Sequence, residues 1–191
     1  MKKYLSFIIA AALMLSVAAC GKKDDNKDNK NSDAPESAVS LLETVWNTYG
    51  EDEKFAAAGG DSNEANARED APGVFGIDDT DALDSMLGFP AAAVDKIDGA
   101  ASLMHMMNQN TFTCGAYHVR NSSDVESLAG ELKDNILARH WMCGFPEKLV
   151  IVSVGDYLVS YFGDGELVDL FTSKLTGAFS DAKQISETPI E

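Results

Sequence analysis

The chain has 191 residues, 45% of them hydrophobic, with 31 Asp and Glu against 15 Lys and Arg for a formal net charge of −16. That length suits one domain with a proper hydrophobic core. The acidic balance excludes a binder of nucleic acid or anionic lipid headgroups, which are held through Lys and Arg on phosphate, and suits cations or a basic partner, or simply a self-repelling soluble surface.

Met1-Lys2-Lys3-Tyr4 precedes an apolar stretch, Leu5 to Ala19, broken only by Ser6 and Ser16. This is the charged-then-apolar layout of a secretory signal, shorter than the about 20 residues that span a bilayer. It runs into Val17-Ala18-Ala19-Cys20-Gly21, which resembles the lipobox of bacterial lipoproteins. The resemblance implies a signal peptide at 1–19, acyl chains on Cys20, and a chain held by lipid on the outer side of the cell membrane. Each buried methylene adds about 0.8 kcal/mol to such an anchor. Residues 20–37 read as a lipidated cysteine and a flexible polar tether, because a stretch such as GKKDDNKDNKNSD cannot bury enough surface to fold. Residues 38–191 are then a single domain with 9 basic and 26 acidic side chains, a balance of −17.

Within that domain, Ala38, Leu41, Leu42, Val45, Trp46 and Tyr49 fall at helical spacing, and Gly50 ends the helix. The Gly- and acid-rich stretch 51–79 predicts a long loop, with one helical turn around Glu53 to Ala58. A short helix over Asp81 to Leu87 follows. Ala100 to Met107 and Thr111 to Val119 predict a strand pair around the turn Asn108-Gln109-Asn110. Ser123 and Glu126 have capping-box spacing, and Val125, Leu128, Ala129, Leu132 and Ile136 continue as an apolar helix face. Leu149 to Val154 and Tyr157 to Phe162 predict a hairpin closed by Gly155-Asp156, and a last helix after Asp164-Gly165 buries Val168, Phe171, Leu175 and Phe179. The expected fold is α+β: an N-terminal helix, then an antiparallel sheet of about four strands in the order strand-strand-helix-strand-strand-helix, with the helices packed on one face.

The strand pair, the Val119-Arg120-Asn121 exit into the central helix, Leu137-Ala138-Arg139 and the run Val152-Ser153-Val154-Gly155-Asp156-Tyr157-Leu158-Val159 resemble a family of small surface lipoproteins of low-GC Gram-positive bacteria that carry a domain of unknown function. That resemblance implies the same address and fold, and no activity.

Several residues could carry chemistry. Cys114, His118, His140 and Cys143 form Cys-x3-His and His-x2-Cys pairs with zinc-binding donors. On a regular strand Cys114 and His118 stand about 13 Å apart, too far to share an ion unless a bulge at Gly115 shortens the path. The alternatives for the thiols are a Cys114–Cys143 disulfide or two buried free cysteines. Met104, His105, Met106 and Met107 offer thioether and imidazole donors suited to copper, or flexible core filling. The acids of 61–70 and 78–84 do not fit the twelve-residue calcium loop. No nucleophile motif and no phosphate-cradling glycine loop is present, so the sequence weighs against an enzyme and implies no cofactor. Trp46, Tyr49, Trp141, Tyr157, Tyr161 and Phe162 are the large residues that could anchor a partner, most of them expected in the core.

Three functions follow in order: a membrane-anchored noncatalytic module that binds an envelope protein or peptide, a lipoprotein handling copper, zinc or another solute, and a hydrolase of envelope polymer.

Overall fold

The computed structural model describes residues 34–142 and 144–190. The signal peptide, Cys20, most of the tether, and Cys143 lie outside the described residues. Helix α1, Ala38–Trp46, begins at a reciprocal cap: Ser40 N–H donates to Ser37 Oγ at 3.2 Å, and Ser37 N–H donates to Ser40 Oγ at 2.9 Å. These bonds satisfy donors that a helix start otherwise leaves open. The apolar stripe of α1 is buried as its spacing requires.

Eight antiparallel strands form one sheet: β1 Ala57–Gly59, β2 Arg68–Glu69, β3 Gly73–Phe75, β4 Ile97–His105, β5 Phe112–Val119, β6 Lys148–Val154, β7 Tyr157–Gly163 and β8 Lys183–Pro189. The order is β2-β1-β4-β5-β7-β6-β8, and β3 pairs β4 beside β1. Both expected hairpins are present at the centre. Gly155, at φ 55, turns β6 into β7 with two residues, a left-handed conformation that a side chain would resist.

Helix α2, Thr80–Ala82, runs on as a π turn to Leu87 and ends at Gly88. Helices α3, Val125–Leu137, and α4, Gly165–Ala178, are the longest described helices, and a 3-10 turn, Ala91–Lys96, leads into β4. The α+β class with an antiparallel sheet holds, but helices cover both faces of the sheet instead of one. Helices α1 and α4 pack on Leu103, Cys114, Val152 and Tyr161. Helix α3 and the π turn pack on Ile97, Tyr117, Ile151 and Phe162. The central strands β5, β6 and β7 are therefore buried on alternate and intervening residues alike, a pattern of two-sided cover.

Other expectations are corrected. The region 51–79 supplies three short strands, and Ala57, expected in a helical turn, pairs with His105. β4 ends at His105, so Met106 and Met107 leave the sheet. The only described irregularity in the β4–β5 register lies between Ile97 and Gly99, and the ladder is regular through Gly115. The Ser123 capping box does not form: a short 3-10 turn, Ser122–Asp124, precedes α3, and Asn121 Oδ1 accepts from Ser123 N–H at 3.2 Å. After α4 the chain adds β8 to the β6 edge. No described helix is long and apolar enough to cross a membrane.

Candidate functional site

The structure separates most of the sequence-predicted donors. Cys114 is a free thiol, fully buried under α1 and α4, and burial pushes it far above its ordinary pKa. His118 shares its strand face but sits at the other end of β5, hydrogen-bonded through Nδ1 to Asp98 Oδ1 and packed on the Tyr157 ring at 4.8 Å. His140 is exposed after α3. Among the described residues, no three His, Cys, Asp or Glu side chains gather closely enough to hold a metal ion. Met104 is buried in the α3-side core, His105 stacks on Phe55 at 5.5 Å, and Met106 and Met107 face solvent. The run that suggested copper is thus divided among three environments.

The nearest approach to a catalytic arrangement is His118 with Asp98. The hydrogen bond from His118 is the main cause of an Asp98 carboxyl held below the usual range. Arg120 Nη1 lies 3.9 Å from the other Asp98 oxygen. Among the described residues no serine, threonine or cysteine, the usual nucleophiles of acyl-transfer chemistry, hydrogen-bonds the imidazole.

A different feature stands out at the opposite end of the sheet. Two connections meet there, the 106–111 turn between β4 and β5 and the 138–147 segment between α3 and β6. Asn110 ties them, its Nδ2 donating to the carbonyls of Met142 at 2.7 Å and Gly144 at 3.0 Å. Asn110 is itself oriented by a bond from its own N–H to Asn108 Oδ1. The second connection is rooted by Trp141, whose ring lies 5.2 Å from Phe162 and 5.2 Å from the Arg139 guanidinium.

On this frame Met107 is 81% exposed, Met142 78%, Phe145 70% and Met106 47%. Four large exposed apolar side chains thus stand on two connections that Asn110 joins, whereas apolar residues scattered singly would need no explanation. Methionine's flexible thioether suits an adaptable contact. The neighbouring rim is acidic. Glu147 and Asp164 are exposed at the same end, fixed by Glu147 N–H to Gly163 O and Asp164 N–H to Thr111 O, both 2.9 Å.

The aromatic candidates are elsewhere: Trp46, Tyr49, Tyr157, Tyr161 and Phe162 are buried, and only Trp141 borders the patch. The available signal was Met142 and Phe145 beside Gly144 and Pro146, apolar residues in a segment too irregular for a strand or helix. No protein-family model, curated protein or solved structure matches the chain at a significant level.

Proposed function

We propose that the chain is a lipid-anchored, extracytoplasmic docking module, akin to the small surface lipoproteins its sequence resembles, that captures a protein segment with an apolar centre flanked by Lys or Arg. The carrying observation is the exposed set Met106, Met107, Met142 and Phe145, presented by two connections that Asn110 locks together. The rim carboxylates Glu147 and Asp164 favour the basic flanks. Full burial of an apolar side chain of this size contributes about 1.5–3 kcal/mol, so three or four support a specific contact after the costs of association.

The point where the domain starts agrees with this use. Tyr157 donates from its hydroxyl to Pro35 O at 3.0 Å, holding the start of the domain at the end of β7 opposite the patch, about 25 Å away by strand length. A lipid on Cys20 would approach the domain from that end, leaving the patch turned toward other proteins.

The test is site-specific photocrosslinking in living cells that make the full chain. A probe at position 107 or 145 gives a discrete adduct, abolished by Met142→Asp, while a probe at Val74, 46% exposed on β3, does not. Equal labelling from all three positions, or none from 107 and 145, would reject docking at this end.

A further inference from the structure

We infer that the cleft beside Arg120, at the end of the sheet away from the apolar patch, binds a short zwitterionic peptide with an apolar side chain. The cleft encloses about 440 Å³ and is walled by three separate stretches, the approach to α2, the 3-10 turn before β4 and the exit of β5. That volume lies in the range of small-ligand pockets. Its apolar floor is small, made by half-buried Ile77 and Val94, with Ile97 fully buried in the same core cluster.

Charges of both signs surround this floor. Arg120 is fixed, its N–H bonded to Lys96 O and its Nε to Ile97 O, both at 2.8 Å. Its terminal amino groups make no hydrogen bond among the described residues, Nη1 lying 3.9 Å from Asp98 in a loose ion pair. Asp78 and Asp95 also line the cleft, and neither enters an ion pair among the described residues. A simple carboxylate would answer Arg120 and be repelled by the two aspartates. A simple amine would do the reverse. A free peptide satisfies both, its ammonium toward Asp78 and Asp95, its carboxylate toward the guanidinium fork, and its side chain on the apolar floor.

Titration calorimetry of the full chain in detergent tests this with the dipeptide Leu-Leu, its N-acetyl form and its C-terminal amide. Saturable binding of Leu-Leu is expected, weakened about three- to fivefold by either cap, the scale of an exposed charge pair. Arg120→Gln removes the difference between the free and amidated peptides while keeping the acetyl penalty, and the double change Asp78→Asn with Asp95→Asn does the converse. Absence of saturable binding at millimolar peptide overturns the inference, as do capped peptides that bind as well as the free one. The caps act on the unaltered protein, so these readings do not depend on any variant folding.

Discussion

Gly115 sits mid-sheet between Ser102 of β4 and Ser160 of β7, and a Cβ there would stand 2.1 Å from Tyr117 Oη. Gly115→Ala therefore forces the phenol aside and lowers stability by about 1–3 kcal/mol, read as a shifted urea midpoint. The same hydroxyl is buried beside the Ser160 hydroxyl without a well-formed hydrogen bond among the described residues, and leaving such a group poorly satisfied is costly. Tyr117→Phe is thus expected to keep or raise the melting temperature. A drop of several degrees would show that the oxygen is supported. At this scale the candidate site was only partly legible. The sequence marks Met106 and Met107 as apolar, but strand composition read them into β4, and nothing local tells that Asn110 reaches the carbonyls of Met142 and Gly144.

Among the elements, the 60–76 connection depends on one carboxylate. Partial burial pulls Asp61 upward, but hydrogen bonds from Gly76 N–H, Asn66 Nδ2 and Asn63 N–H outweigh it and hold the group below its usual value. A carboxyl depressed in the folded state adds stability that is present above its unfolded value of about 3.9 and is lost as pH falls through the folded one. Asp61→Asn should cost about 0.5–1 kcal/mol at neutral pH, since the carboxylate is partly exposed and screened by solvent, and flatten the loss of stability below about pH 4. Parallel urea titrations at several pH values check both effects.

The outer strand β8 shields the β6 edge and is pinned by Glu187 to Lys148 at 3.1 Å. Ending the chain at Ala182 should lower the melting temperature and promote association through the uncovered edge, measured by light scattering. Neither β8 nor β1 to β3 was legible. The first three run only two or three residues, too short for alternation, and β8 carries mostly polar, exposed side chains. The hairpins and three long helices were legible because their apolar periods extend over whole elements. Two-sided cover was missed, although the continuous apolar runs of β6 and β7, which a one-sided sheet would not need, carry it.

Across the whole molecule, 31 acidic residues face 15 basic ones. Several lysines are engaged, as with Lys174 on Glu53 at 2.6 Å and Lys96 on Glu131 at 2.6 Å, so the excess acids repel one another across the surface. Raising salt from about 0.02 to 0.5 M should raise the melting temperature, because screening relieves that repulsion more than it weakens the few ion pairs. A melting temperature that falls with salt would mean the ion pairs dominate.

The two-residue turn at Gly155-Asp156 also sets an order of assembly. Its hairpin closes almost no loop and can form within about 1–10 μs, as can β4 with β5 across a short turn. The seam between β5 and β7 must instead enclose all of α3, and the contact of Lys174 with Thr48 O joins segments from nearly opposite ends of the chain. Loop closure makes those steps slower, so the sheet grows outward from two early hairpins, and the face under α1 and α4 is sealed only once the C-terminal helix has been synthesised.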